Sequence, residues 1–261
     1  MRIGAVVTEA EDVEDAASAG LFAILWEPAG PTETAEPATG IAAAAEVAAR
    51  TLDARVLVRV VLGSEHPVTL AEEVAVLDHL SAGRAVAVID PGELTDEAAM
   101  EDLALLRACW SGRPVRHAGK RWTVPSGVMG DVAPAAGLAV TPVPAQIDVP
   151  VWLLRPIGEV ALPVVARDPA AVRTDVQVQP ATAELTGELE QDRALVTRWA
   201  EAGTTHLLVR PPSGPAGRAA AGAEPGRFFA RYVARYLQPE VSMPAYPRIM
   251  SEAALPATWT A

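Results

Sequence analysis

Apolar and polar positions along the chain change their period several times, and each change marks a boundary between a strand and a helix. Short β-branched runs occur over residues 3–7, 21–26, 55–62 and 85–90. Between them, apolar residues recur at helical spacing, the pattern of βα units around a parallel sheet. The first helix is predicted over 11–19, with an acidic first turn and Gly20 as its stop. An Ala-rich helix follows over 39–52. The best-marked helix starts at Pro67, where a first-turn proline is tolerated. Its pattern places Leu70, Val74, Leu77 and Leu80 on one face, Glu72, Glu73 and Asp78 on the other, and Ser81-Ala82-Gly83 at its end. The helix over 96–110 turns Met100, Leu103 and Leu106 inward.

The pattern breaks between 111 and 150, a Pro- and Gly-rich stretch in which Arg121-Trp122-Thr123-Val124 makes one half of a small hairpin. Excursions of this length usually cover a ligand or serve function. Beyond it, strands five to eight are predicted over 151–154, 162–166, 175–179 and 206–210. The intervals 157–161 and 167–172 are too short for a full covering helix. Regular helices return over 188–202, with Leu189, Val196 and Trp199 on one face, and over 226–237, with Phe229, Tyr232, Val233 and Tyr236 inward. Eight short strands make an α/β chain of the (β/α)8 barrel type in one domain spanning 1–261, with reduced helices around strands five to seven. Barrel strands are apolar on both faces, so the bare ones need cover from the excursion, the C-terminal residues or a second subunit.

Composition narrows the function classes. Half of the 261 residues are apolar and 21% are charged, which excludes a disordered tail. No apolar run reaches the roughly 20 residues of a membrane-spanning helix, and the first residues lack the cleavage pattern of a signal peptide. With one cysteine, Cys109, no internal disulfide can form, so a cytoplasmic protein is expected. A net charge of −12 with no basic cluster argues against nucleic acid. The four histidines and the cysteine lack metal-ligand spacing, and neither a nucleophile-elbow motif nor a phosphate-binding Walker loop occurs.

The run from His66 to Arg84 contains His66-Pro67, Ala71-Glu72, Leu77-Asp78 and Leu80-Ser81-Ala82-Gly83-Arg84. It resembles the signature of luciferase-like monooxygenases and F420-dependent oxidoreductases. Ala19-Gly20-Leu21-Phe22 with Trp26-Glu27, Trp110-Ser111-Gly112-Arg113-Pro114-Val115, and Pro142-Val143-Pro144-Ala145-Gln146 with Pro150-Val151-Trp152 agree in order. The likeness covers about 1–155 well and 185–240 loosely. It implies a luciferase-like barrel that binds reduced FMN or the deazaflavin F420 at the C-terminal ends of its strands and acts on a small organic substrate, as a homodimer or with a luciferase-like homologue. Two departures point to another class: a catalytically silent luciferase-like subunit, its cofactor binding lost, or a flavin-binding protein, either of them partnering a full-length homologue. Pro28 stands where the family has a flavin-facing histidine, and only Gly92 remains of a glycine cluster after strand four.

The candidate catalytic residues are Glu27 and His66. Glu27, ending strand two, reads as an orienter of a ring nitrogen or a base, or as a solvated loop carboxylate. His66 reads as a ligand group or as a helix-start residue. The candidate cofactor-binding residues are Gly63, Ser64, Asp90, Arg210, Ser213 and Gly214. The resemblance implies a strained non-proline cis peptide at Gly63-Ser64, where the residues alone read as an ordinary strand-ending turn. Arg210 with Ser213-Gly214 ends strand eight, where barrels often bind phosphate, or is a surface arginine beside a turn. His117 among Arg113, Arg116, Lys120 and Arg121 reads as an anion-facing cluster or a solvated loop.

Overall fold

Runs of β-branched and small apolar residues form the strands, and the interleaved helices turn their apolar faces inward while burying several aspartates, Asp12, Asp15, Asp78, Asp102 and Asp192. The computed structural model describes residues 1–27, 40–126, 137–173, 175–212 and 226–241. Contacts group the chain into two compact units, Met1–Ala29 with Val47–Val56 and Ala166–Ala261, and Gly30–Glu46 with Leu57–Val165.

The first unit contains β1 (Arg2–Val7), α1 (Ala10–Ser18) and β2 (Ala23–Trp26). Its sheet is parallel: β1 pairs with β2 on one side and with a later strand, His206–Arg210, on the other. That strand pairs in turn with Pro180–Glu184. A helix over Leu189–Glu201 connects these two strands, and a π-helical segment over Phe229–Leu237 packs against α1 and this helix. Val13, Ala16, Val196, Trp199, Phe229 and Val233 are buried there, so apolar side chains supply the main cohesion. Asp15 is drawn into the same interior because its carboxylate accepts the Phe229 N–H at 2.6 Å and the Ala230 N–H at 3.2 Å, satisfying donors at the segment's start. Burial nevertheless pushes the Asp15 carboxyl above its ordinary range.

Close backbone approach explains the glycine inside β1. A Cβ at Gly4 would lie 2.7 Å from Leu208 Cδ2 and 2.8 Å from the Ala23 carbonyl oxygen. The backbone oxygen cannot swing aside as a side chain can. Gly4→Ala is expected to cost about 1–3 kcal/mol through overpacking, read as a lower urea midpoint with an unchanged slope.

The second unit carries the first part of α2 (Ile41–Arg50) and most of β3 (Arg55–Val61). It continues through α3 (Pro67–Leu80), β4 (Ala85–Asp90), α4 (Asp96–Trp110), a hairpin of β5 (His117–Ala118) and β6 (Thr123–Val124), and β7 (Val151–Leu153). Strand β4 lies between β3 and β7, parallel to β7. Helices α3 and α4 pack together, and the Trp110 indole N–H donates to the Ala71 carbonyl at 3.0 Å.

Several expectations are corrected here. Asp78 is fully buried: its carboxylate accepts from Gln146 N at 2.8 Å, Gln146 Nε2 at 2.7 Å and Ala85 N at 3.3 Å. A charge can sit inside when several donors replace its water. Leu80 and Met100 are instead 63% and 37% exposed. The seventh strand is β8 (Pro180–Glu184), not 175–179. Proline tolerates the first position of a strand, and the Gln179 carbonyl before it accepts from both Thr205 N and His206 N. The strand over 162–166 is reduced to single parallel bridges, Val164 to Leu153 in the second unit and Ala166 to Ala181 in the first. After β7 the only helical turn before β8 is Pro169–Ala171 among the described residues, as the short intervals predicted. Helix α5 is Leu189–Glu201 and β9 is His206–Arg210. Among the described residues, no helix is long and apolar enough to cross a membrane.

Candidate functional site

Parallel strands leave their carboxyl ends on one edge, where ligands of α/β proteins usually bind. In the first unit that edge brings two sequence candidates together. Glu27 follows β2, and its N–H donates to the Val7 carbonyl at the end of β1 at 2.9 Å. Arg210 closes β9, and its Nη2 donates to Glu27 Oε2 at 2.6 Å. Because β1 lies between β2 and β9, the ion pair spans the end of β1. The two side chains are 36% and 31% exposed, so both remain accessible to a ligand. Register sets Glu184, the last residue of β8, beside Arg210. Ser213, Gly214 and Pro28 lie outside the described residues.

The second unit gathers the other candidates around the ends of β3 and β4. Asp90 accepts from Arg59 Nε at 3.0 Å and from Gly92 N at 2.9 Å. Burial alone would raise its pKa, but the Arg59 hydrogen bond, the Gly92 N–H and the charges of Arg59 and Arg155 hold the carboxyl below its ordinary range. An ionised, occupied carboxylate orients neighbours and does not deliver protons at neutral pH. Gly63 takes φ +82°, which glycine alone adopts without strain. Ser64 Oγ donates to the Val61 carbonyl at 2.7 Å and closes the turn. The cis peptides among the described residues precede Pro125 and Pro142, so the cis bond implied at Gly63-Ser64 is corrected to an ordinary trans turn. The space a Cβ would take at Gly63 abuts Leu94 Cδ2 at 3.2 Å. Arg155 Nη2 donates to the Leu94 carbonyl at 2.7 Å and fixes that leucine's backbone.

His66 is the N-cap of α3, and its Nδ1 accepts the Val68 N–H at 3.1 Å. A backbone donor on Nδ1 needs that nitrogen's lone pair, so the imidazole proton sits on Nε2. Trp122 packs edge-on against the ring, with centroids 4.3 Å apart. The tryptophan is itself fixed by α4. Asp102 Oδ1 accepts its indole N–H at 2.6 Å. Glu101 accepts the backbone N–H groups of Lys120, Arg121 and Trp122 and pairs with His117 Nε2 at 3.1 Å. Burial opposes the Glu101 charge, yet His117 and the three N–H donors lower its pKa to about 2. Lys120 is paired with Glu97, and Arg121 with Asp102. Three members of the supposed anion-facing cluster are therefore engaged with α4.

Sequence reasoning missed Arg59, Trp122 and Leu94. Arg59 had a signal: it is a lone charge inside the apolar run Val56-Leu57-Val58-Arg59-Val60-Val61. The contacts of Trp122 and Leu94 join residues tens of positions apart, and no periodicity encodes such pairs. Among the described residues no cluster of His, Cys, Asp and Glu fits a metal ion.

These strand-end constellations sit on a framework with known counterparts. The chain aligns with an F420-dependent secondary alcohol dehydrogenase, solved with an F420-acetone adduct, at a TM-score of 0.68 and 13% identity. The alignment covers 92% of this chain and 98% of that one. A coenzyme F420-dependent tetrahydromethanopterin reductase from Methanopyrus kandleri aligns at 0.63 and 14% identity, covering 91% and 98%. At such identities the likeness shows the fold, the α/β barrel type expected from the strand count. In sequence, an uncharacterized protein of Mycobacterium tuberculosis is 30% identical over 230 residues, covering 73% of this chain and 74% of that protein. The family model for luciferase-like monooxygenases matches residues 10–155, including β2, β3, α3 and β4 with their strand-end candidates. With that match spanning more than half the chain, the protein belongs to the luciferase-like monooxygenase family.

Proposed function

We propose that this protein is an oxidoreductase that uses reduced FMN or the deazaflavin F420 to act on a small organic substrate. The observation that carries the reading is the Glu27–Arg210 pair, partly exposed at the strand-end edge of the first unit. Its donor set fits a flavin-type ring, whose pyrimidine edge offers both carbonyl acceptors and an N–H donor. The bound cofactor would supply the redox chemistry, and the chain would bind, orient and shield it. Ser213 and Gly214 remain candidate phosphate-binding residues in this reading. In the second unit, His66 offers an Nε2–H donor, Asp90 a fixed negative charge, and Gly63-Ser64 a turn at the end of β3.

A second reading has one specific observation in its favour: Leu94 Cδ2 lies 3.2 Å from where a Cβ of Gly63 would stand, so that side of the strand-end turn is packed by a leucine. In that reading the chain is a catalytically silent subunit beside a luciferase-like homologue, or a homodimer that has lost its cofactor. Val76 and Leu80, 45% and 63% exposed on α3, would then meet a neighbouring subunit.

Titration of the purified chain with FMN, reduced FMN and F420, followed by flavin and tryptophan fluorescence, separates the two. The enzyme reading expects binding near micromolar, about −8 kcal/mol. Absence of binding to all three, with binding restored only by a co-purified homologue, would establish the silent-subunit reading instead.

A further inference from the structure

The geometry points to a different task for Arg210 than the phosphate contact its position first implies: Glu27 and Arg210 together read the imide edge of the cofactor ring. This inference rests on the cofactor reading above and assigns the pair's role within it. Three observations carry it. Arg210 is joined to Glu27 at 2.6 Å, so the pair is electrically neutral as a unit. A phosphate brought to Arg210 would lie against the Glu27 carboxylate, and that repulsion offsets the attraction of the guanidinium. A neutral imide, with a carbonyl beside an N–H, meets no such penalty and needs one donor next to one acceptor.

The pair keeps that capacity. Among the described residues, the Arg210–Glu27 bond is the one hydrogen bond either side chain makes. Glu27 Oε1 remains free to accept, and the Arg210 guanidinium has further N–H groups to donate. Both side chains are about a third exposed. Their backbones are held rigidly, Glu27 N by the Val7 carbonyl at 2.9 Å and the Arg210 carbonyl by Leu185 N at 2.9 Å. Side chains projecting from such anchored positions lose little freedom on binding.

FMN and riboflavin share one ring and differ in the phosphate, which makes them a clean pair of probes. The imide role expects Arg210→Ala to weaken both by the same factor, tenfold or more. Glu27→Ala is expected to weaken both as well, and riboflavin methylated at N3 to bind the unaltered chain at least tenfold more weakly than riboflavin. Circular dichroism of each variant checks that the fold is kept. A phosphate role predicts the opposite pattern. Arg210→Ala would then harm FMN alone, and Glu27→Ala, by freeing the arginine, would tighten FMN relative to riboflavin. Either result overturns the inference and leaves the cofactor reading standing, as does a loss of less than twofold for both probes in both variants. If the chain binds F420 alone, the same comparison is made between F420 and its phosphate-free ribityl deazaflavin. Failure of the unaltered chain to bind any of these ligands would remove the cofactor reading itself, and this inference with it.

Discussion

Replacing Asp192 by alanine is expected to destabilise the first unit by about 2–6 kcal/mol, because it leaves two buried donors, Gly187 N and the Tyr232 hydroxyl, unpaired at about 1–3 kcal/mol each. Asp192 is fully buried in α5, yet its carboxylate serves four donors from outside that helix's own ladder. Thr186 N and Thr186 Oγ1 donate to Oδ1 at 2.8 and 2.9 Å, and Gly187 N and the Tyr232 hydroxyl donate to Oδ2 at 3.0 and 2.7 Å. The N-cap residue of α5, Glu188, makes no side-chain cap. Asp192 does that work from inside the helix by folding its carboxylate back over the turn. It also ties the turn to the terminal π-helical segment through Tyr232. Burial first, and then the bond to Asp192, push the tyrosine hydroxyl's pKa upward, so the phenol stays protonated and donates. Tyr232→Phe removes one donor and leaves the other three satisfied, so it should cost about 1 kcal/mol. Thermal unfolding should separate the two variants, with a fall of roughly 10 °C for the alanine and a few degrees for the phenylalanine. Equal shifts would mean that the turn contributes nothing and that the aspartate matters only through Tyr232.

Acid should weaken the protein through His206 before most carboxylates titrate. His206 opens β9, its ring 4.7 Å from Phe22 and its Nδ1 2.8 Å from Thr205 Oγ1. Burial, and then the positive charge of Arg2, lower its pKa from 6.5 to about 4. The folded chain therefore keeps a neutral imidazole at pH values where the unfolded chain takes up a proton. The stability tied to His206 is fully present above about pH 6.5, declines as pH falls, and is lost by about pH 4. At about 1.4 kcal/mol per unit, the full difference is on the order of 3 kcal/mol. Urea midpoints measured at pH 7 and pH 4.5 should fall for the natural chain and fall less for His206→Gln. Parallel lines for the two proteins would show that the imidazole is not what the acid reaches. Below that window Asp90 and Glu101 take over. Their lowered pKa values mean that stability held above the ordinary carboxylate range is lost as the pH drops through their own.

Much of the fold was legible from spacing. The limits of β4 and α4 match residues 85–90 and 96–110 as read from the chain, because strongly periodic runs with sharp ends leave little choice. The N-cap role of His66 was open to the same reading, since Pro67 marks the first turn of α3. Legibility declined where elements shortened. Over 175–179, alternating valines read as a strand, but pairing with β9 selected 180–184 instead. A five-residue pattern carries too little periodicity to outweigh backbone hydrogen bonds made with a distant partner.

The candidate site divides in the same way. Which residues stand at strand ends followed from where each apolar run stops, and that placed Glu27, Gly63, Asp90 and Arg210 on the candidate roster. The partner each would take was beyond reach. Glu27 and Arg210 are 183 positions apart and meet because β2 and β9 flank β1. Asp90 met Arg59, and His66 met a tryptophan from the hairpin.

By itself, the order of residues determined the alternation of strands and helices, the family likeness and the strand-end positions, since all three depend on neighbours within a few residues or on local runs. Only the tertiary structure decided that Arg210 is neutralised by Glu27, that Leu94 covers Gly63 and that Asp78 and Asp192 are buried. Each of these depends on contacts between distant segments, and a charge is tolerated inside only where such contacts replace its water.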